Sequence, residues 1–129
     1  MQYDRGDSVQ GGHDRIFFTS EGHKERFVET MKRLGKVYNR TYDAEYAAAI
    51  YILSSDPATW NKVSRYVSHE GIDIETMLQE VDFSGGYGVL VTLAGNLFNN
   101  GQHLDPLEFL RLDEGNFRVA LNAIILRRS

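Results

Sequence analysis

The most constraining feature of this sequence is the run Tyr-Ala-Ala-Ala-Ile-Tyr-Ile-Leu at residues 46–53, whose only polar side-chain groups are two tyrosine hydroxyls. Asp43 can cap the N-terminus of a helix that continues to about Ser54. Such a helix has no polar face, and a helix that is apolar on all sides is normally buried by its neighbours. The run therefore predicts the central helix of a domain built from several other helices.

Start and stop signals place those other helices along the chain. The first is predicted over residues 20–34 with Gly35 as its stop, and a third is predicted to start where Pro57 follows Asp56. Further predicted N-terminal caps are Asp73, Asp105 and Asp113. The third helix should bury Trp60 in the core, and the last should bury an apolar stripe. That stripe comprises Phe117, Ala120, Leu121, Ile124 and Ile125.

Residues 87–98 fit two kinds of secondary structure. The β-branched residues Val89 and Val91 favour a strand, but the apolar side chains from Tyr87 to Phe98 recur at helical spacing. The length of the segment favours a helix, which would end at the Asn-Asn-Gly sequence of residues 99–101.

These patterns predict an all-α fold, an irregular bundle of about six or seven helices. The sequence shows neither an internal repeat nor a hairpin signal. Residues 16–129 are predicted to form a single helical domain. Residues 1–15 contain three glycines and few large apolar side chains, so we predict a disordered N-terminal tail whose deletion leaves the melting temperature nearly unchanged.

The chain contains no cysteine, which excludes disulfides, cysteine nucleophiles and cysteine-ligated metal sites. Its first residues lack the basic start and the apolar run of a secretory signal. The best apolar stretch, residues 87–98, is about half the length that spans a bilayer. We therefore predict a cytoplasmic protein that is neither exported nor embedded in a membrane.

One glycine-rich stretch, residues 84–88, is a candidate ligand site because it lies at a predicted helix N-terminus. The predicted anion-binding residues are Ser84, Gly85 and Gly86. The stretch lacks the Lys-Ser/Thr ending of a phosphate-binding loop, and Asp82 would repel phosphate. A flexible turn before a helix start explains it equally well. An enzyme or a ligand-binding protein would use this stretch together with His69 or His103.

No pattern in the sequence assigns catalytic residues, a metal site or a cofactor. The four histidines are far apart in the chain, and none has a second histidine at the i+4 spacing that places two ligands on one helix face. Many acidic residues lie at predicted helix starts, where capping explains them. The sequence therefore favours a protein without enzyme activity.

Charge is distributed unevenly along the chain. Residues 67–116 contain one arginine and nine acidic residues, a net charge of −8, which disfavours nucleic-acid binding because that binding depends on neutralising phosphates. The stretch is either a solvated face that keeps the protein in solution or a docking surface for a basic partner protein. The docking residues would be Glu70, Asp73, Glu75, Glu80 and Asp82, since Asp105 and Asp113 are expected to cap helices.

The preceding stretch, residues 15–66, has a net charge of +3. Its basic side chains keep nucleic-acid binding open as a further alternative. The contacts would then be Lys24, Arg26, Lys32, Arg33, Lys36 and Arg40.

Several patterns between Phe18 and Arg128 match those of a known family. The first is Phe18-x-Ser20-x-x-His23-x-x-Arg26-Phe27, and the second is Ala49-Ile50-Tyr51-Ile52-Leu53. Behind them stand Leu93-Ala94-x-Asn96-Leu97-Phe98-Asn99 and Leu112-Asp113-x-x-Asn116-Phe117-x-x-Ala120-Leu121. In these patterns the chain resembles a family of small helical proteins of unknown function from Gram-positive bacteria and their mobile elements. The resemblance implies a helical fold and a bacterial origin, and it carries over no catalytic role.

The leading hypothesis is a non-enzymatic protein-interaction or regulatory module of phage or mobile-element origin. It depends on the lack of catalytic patterns and on the uneven charge. An exposed apolar patch in the structure would favour this hypothesis, whereas a deep polar cleft would favour an enzyme and a continuous basic stripe would favour nucleic-acid binding.

Overall fold

The computed structural model describes residues 16–129, in which six α-helices follow one another in the order that the caps predict. The helices are α1 (Glu21–Arg33), α2 (Ala44–Leu53), α3 (Pro57–Val63), α4 (Ile74–Glu80), α5 (Tyr87–Asn99) and α6 (Glu114–Arg128). Two 3₁₀ helices, Ser64–Tyr66 and Pro106–Arg111, follow α3 and precede α6. The predicted all-α fold in a single domain is confirmed. The segment of uncertain type is helical, as its length predicts.

Two further predictions concern the N-terminal tail and the lack of a membrane-spanning segment. The predicted tail, residues 1–15, lies outside the described residues, so its dispensability stays a prediction. Within residues 16–129, none of the helices combines the length and the apolar character needed to cross a membrane.

Helix starts are fixed by side chains that accept hydrogen bonds from the first turn. Asp43 Oδ1 accepts from the amide of Tyr46 at 3.1 Å, and Ser20 Oγ accepts from the amide of His23 at 3.0 Å. The same three-residue arrangement occurs at Asp56, Asp73 and Asp113. Each bond satisfies an amide that the helix itself leaves unpaired. The predicted caps are therefore confirmed.

Two short β-hairpins interrupt the helical order, so the expectation of a chain without hairpins was wrong. Strand β1 (Val37–Tyr38) pairs antiparallel with β2 (Thr41–Tyr42), and β3 (Val67–Ser68) pairs antiparallel with β4 (Gly71–Ile72). A two-residue strand is too short to show the alternation that identifies a strand in a sequence. Tight hairpin turns are usually recognised by a glycine at a position of positive φ. In the first turn Asn39 and Arg40 take these positions, with φ of 49° and 68°, so the sequence carries no glycine there to reveal the turn.

The hairpins reveal a structural repeat that the sequence pattern does not show. Each hairpin links two helices and ends on the capping aspartate of the second. The amide of Asp43 donates to the carbonyl of Lys36 at 2.9 Å, and the amide of Asp73 donates to the carbonyl of Tyr66 at 3.0 Å. Helix, hairpin and helix thus occur twice, as α1–α2 and as α3–α4, with equivalent aspartates thirty residues apart.

Helix α2 lies at the centre of the fold. Its residues 46–53 are all buried, and it packs against α1, α5 and α6. The Tyr46 hydroxyl donates to the carbonyl of Ser68 at 2.8 Å and so joins α2 to the second hairpin. The prediction of a central helix from the apolar run is confirmed.

Helix α6 buries a different face from the predicted one. Its buried residues are Val119, Ala120, Ala123 and Leu126. Phe117, Leu121 and Ile125 are instead 37%, 44% and 53% exposed, so the predicted stripe is wrong at these three positions. Small side chains at Ala120 and Ala123 face inward because they let α6 approach α2 closely, and helix separation depends on the side chains at the contact.

Two other residues lie at the margin of the core. Trp60 was expected within the core but is partly buried against its edge. Leu97 is likewise partly buried, whereas Ile50 is fully buried. The core is therefore centred on α2 and on the inner faces of α1, α5 and α6.

Candidate functional site

The C-terminal end of α2 is bound by side chains from other parts of the chain. A helix leaves its last carbonyls without partners inside the helix, and here the adjacent Ser55 supplies its amide at 3.1 Å and its Oγ at 2.8 Å to the carbonyl of Ile52. Four carbonyls at this end accept hydrogen bonds from distant side chains. The carbonyl of Tyr51 lies 2.8 Å from His23 Nε2, and the carbonyl of Ile52 accepts from the Tyr87 hydroxyl at 2.8 Å. The carbonyl of Ser54 accepts from Arg26 Nε at 2.8 Å, and the carbonyl of Ser55 accepts from Thr19 Oγ1 at 3.2 Å. We call Thr19, His23, Arg26 and Tyr87 the α2 cap cluster.

His23 is fully buried in this cluster and carries no charge at neutral pH. The amide of Thr19 donates to His23 Nδ1 at 3.1 Å, so the ring proton is on Nε2, which donates to the carbonyl of Tyr51. The pKa of His23 is lowered from 6.5 to about 4, chiefly by burial; the bond to Tyr51 opposes this shift, and the nearby charge of Arg26 adds to it. The ring also packs against Phe18 and Tyr51. His23 therefore acts as a neutral structural donor.

Arg26 is the cationic member of the α2 cap cluster. Its Nε donates to Ser54, while its Nη2 is buried and has no hydrogen-bond partner within the described residues. The guanidinium is thus committed to the fold. Sequence reasoning missed both His23 and Arg26 as fold determinants because their acceptors lie 28 residues further along the chain. The available signal was the spacing of Ser20, His23 and Arg26, which places the three on one side of α1.

A cleft of about 510 Å³ opens beside the α2 cap cluster. The starts of α3, α5 and α6 line it, and the polar side chains along it are Thr19, Ser55, Asp56, Thr59, Ser84, Asp113 and Asn116. Asp56 and Asp113 cap their helices and still place negative charge at the cleft. That charge opposes phosphate and favours a neutral or cationic polar ligand.

The predicted anion-binding residues line this cleft. Gly85 adopts a φ of +54°, and Gly86 is the residue that precedes α5. The amide of Tyr87 donates to the carbonyl of Ser84 at 3.1 Å, so one amide at the helix start is already used. A Cβ on Gly86 would lie 2.7 Å from Leu112 Cδ2, which gives this glycine a packing role. Anion binding by Ser84, Gly85 and Gly86 stays a prediction.

A second cleft of about 400 Å³ shares Gly85 with the first. It brings His103 next to the glycine-rich start of α5, as the enzyme alternative requires. His69 lies in the turn between β3 and β4 and lines neither cleft. Over residues 16–129, no group of three or more potential metal ligands is present.

Comparison with known proteins identifies a family. Residues 13–118 match a family of unknown function, DUF6075. The chain belongs to the DUF6075 family. The DUF6075 match includes the α2 cap cluster, both hairpins and the whole acidic stretch, and it ends within α6. No curated protein and no solved structure matches the chain.

The five predicted docking acids of this DUF6075 chain divide into two groups. Asp73 caps α4 by accepting from the amide of Thr76 at 3.2 Å. Glu80 accepts from the Tyr66 hydroxyl at 2.6 Å and lies 3.7 Å from Arg65 Nη2. The remaining three, Glu70, Glu75 and Asp82, are exposed, and their carboxylates make no hydrogen bond or ion pair within the part of the chain that the structure describes.

Two of the six predicted nucleic-acid contacts of the DUF6075 chain are engaged within the protein. Arg26 belongs to the α2 cap cluster. Lys36 Nζ lies 4.2 Å from the centre of the Tyr46 ring, a cation–π contact. The basic group on the first third of the chain is therefore smaller than its sequence suggests.

Replacing Tyr87 with phenylalanine tests the α2 cap cluster of the DUF6075 chain. The hydroxyl donates to Ile52 and lies 2.5 Å from Ser55 Oγ, and burial raises the pKa of Tyr87 to about 12. Its loss leaves a buried carbonyl with one donor fewer, so the free energy of unfolding should fall by about 1 to 2 kcal/mol. Urea unfolding measures this change. Tyr38→Phe is the control, because Tyr38 is 50% exposed and its substitution should change stability by less than about 0.5 kcal/mol.

Proposed function

We propose that the protein is a non-enzymatic interaction module that binds a basic partner protein through its second hairpin and α4. The observation that carries the proposal is the charge of this segment: residues 67–82 contain five acidic residues and no lysine or arginine. Glu70, Glu75 and Asp82 are exposed and unpaired within the described residues, so their charge is directed to solvent. We call these three residues the acidic surface.

The acidic surface would act mainly on the rate of association. Opposite charges attract a partner before contact, and at physiological salt this attraction is screened over about 8 Å. Unpaired carboxylates favour binding more than paired ones because they lose no internal contact when a lysine or arginine approaches. Asp73 and Glu80 are already occupied, which makes them secondary to the other three.

Origin and location form part of the same proposal. The resemblance to proteins of Gram-positive bacteria and their mobile elements supports a bacterial cell as the source. The lack of cysteine suits a reducing cytoplasm. A small cytoplasmic module of this kind would regulate its partner by occupying it.

Charge reversal tests the proposed function. The triple variant Glu70→Lys, Glu75→Lys and Asp82→Lys should capture at least about tenfold less partner from the native cell lysate, since rim charges chiefly set the association rate. Capture by the unaltered protein should also weaken as salt is raised from about 50 to 500 mM.

The matched control for this variant is Glu21→Lys, Glu25→Lys and Glu29→Lys on α1. These three side chains are also exposed, and the variant changes the net charge by the same amount. It should capture partner as the unaltered protein does. Equal losses in both triple variants would show that net charge alone matters, and capture that ignores both salt and the acidic surface would reject the proposal.

A further inference from the structure

The outward face of α6 carries a continuous apolar strip. Phe117, Leu121 and Ile125 are four residues apart, so they follow one another along one side of the helix. They are 37%, 44% and 53% exposed, while the opposite side of α6 is buried against α2 and α5. An exposed apolar strip with polar surroundings is typical of a protein-binding surface.

Charged residues close both ends of this strip. Glu114 precedes Phe117 by three residues, and Arg128 follows Ile125 by three. The Glu114 side chain is 88% exposed, with Arg118 Nη2 4.0 Å away as its ion-pair contact. Arg128 is exposed as well. The strip therefore has an acidic end and a basic end.

The three apolar residues and the two charged residues at the ends of the strip are spaced symmetrically along α6, so the sequence intervals are the same in both directions. From Glu114 to Arg128 the intervals are three, four, four and three residues, with Leu121 at the centre. A second α6 laid antiparallel would place Leu121 against Leu121, Phe117 against Ile125, and Glu114 against Arg128 at both ends. A parallel copy would instead oppose like charges, so the charge pattern selects the antiparallel arrangement.

We propose that the α6 strip binds a second copy of this chain, forming an antiparallel two-fold dimer with Leu121 on the axis. Such an interface is isologous, because each copy contributes the same surface. A single helix face is smaller than the roughly 800 Å² per partner of a standard interface, so the dimer should be weak, with a dissociation constant of about 10 to 500 µM. The proposal does not depend on the acidic surface.

Sedimentation equilibrium of the full chain tests the dimer. Between about 5 µM and 1 mM the apparent mass should rise from that of the 14.7 kDa monomer towards twice that value. Leu121→Glu places two like charges on the axis and should abolish the rise. Leu110→Glu is the control, since Leu110 is 79% exposed but lies on the 3₁₀ helix outside the strip. A protein that stays monomeric, or a dimer that survives Leu121→Glu, would overturn the proposal.

Cysteine cross-linking tests the axis and does not depend on the folding of a charged variant. The chain has no cysteine of its own. Leu121→Cys should form a disulfide-linked dimer under mild oxidation, because facing helices bring axial Cα atoms within disulfide reach. Phe117→Cys alone should not, since two copies of this position are offset by about 12 Å along the helices, but mixed with Ile125→Cys it should cross-link. Efficient linkage of Phe117→Cys to itself would exclude the antiparallel arrangement.

Discussion

Replacing Ile50 with alanine should lower the free energy of unfolding by about 2 to 5 kcal/mol. Ile50 is 0% exposed at the middle of α2, the helix that packs against α1, α5 and α6. Truncation removes buried methyl and methylene groups and leaves a cavity that three surrounding helices cannot close independently. Urea unfolding at a fixed pH measures the loss.

Two alanine variants calibrate this result. Leu97→Ala should cost less than Ile50→Ala, because Leu97 is only partly buried and the removed atoms already contact solvent. Leu110→Ala should change the free energy of unfolding by less than about 0.5 kcal/mol, since Leu110 is 79% exposed. An Ile50→Ala effect as small as that of Leu110→Ala would show that α2 is not the packed centre of the fold.

Local signals in the sequence predicted most of the helical order. An acidic cap bonds an amide three residues away, and a proline at a first helical position needs no distant partner, so both are readable from neighbouring residues. The apolar run of α2 is also readable from neighbouring residues, because a helix that is apolar on all sides is normally buried on all sides. These features explain why the caps at Asp43, Asp56 and Asp113 and the central helix are confirmed.

The face that α6 buries could not be read in this way. The helix has two apolar sides, one with Phe117, Leu121 and Ile125, and one with Val119, Ala120 and Ala123. Periodicity weighs hydrophobicity and favours the larger side chains, whereas packing against α2 favours small ones that permit close approach. The choice between the sides is a tertiary effect, and it leaves the larger side chains available for binding another molecule.

The candidate site shows the same division between local and distant information. Ser84, Gly85 and Gly86, which line the first cleft, could be proposed as candidates because a glycine-rich helix start is a local pattern, and their anion binding stays a prediction. The α2 cap cluster could not, since Tyr87 and Arg26 bond carbonyls 35 and 28 residues away. The resemblance patterns did contain Ser20, His23 and Arg26, and the structure explains these residues as capping and carbonyl-binding groups.

Acid should destabilise the protein through His23. The unfolded chain protonates this ring at a pKa of 6.5, whereas burial lowers the pKa in the folded protein to about 4. Between these values the unfolded state binds more protons, so stability is fully present above pH 6.5 and is lost as the pH falls towards 4. The interval corresponds to about 3 kcal/mol, which is a large fraction of the stability of a domain this size.

Comparison with His23→Gln isolates this contribution from the carboxylates that titrate in the same range. Glutamine cannot be protonated, so this variant should be less stable at pH 7.5 but should lose less stability on going to pH 4 than the unaltered protein. Urea unfolding at intervals of half a pH unit gives both curves, and the stability advantage of the unaltered protein over His23→Gln should shrink between pH 6.5 and 4. His69→Gln is the matched control, because His69 is exposed in the β3–β4 turn, and its curve should retain the acid-induced loss. Parallel curves for the unaltered protein and His23→Gln would mean that the ring accepts a proton without disrupting its bonds to Thr19 and Tyr51, and that the α2 cap cluster does not require a neutral histidine.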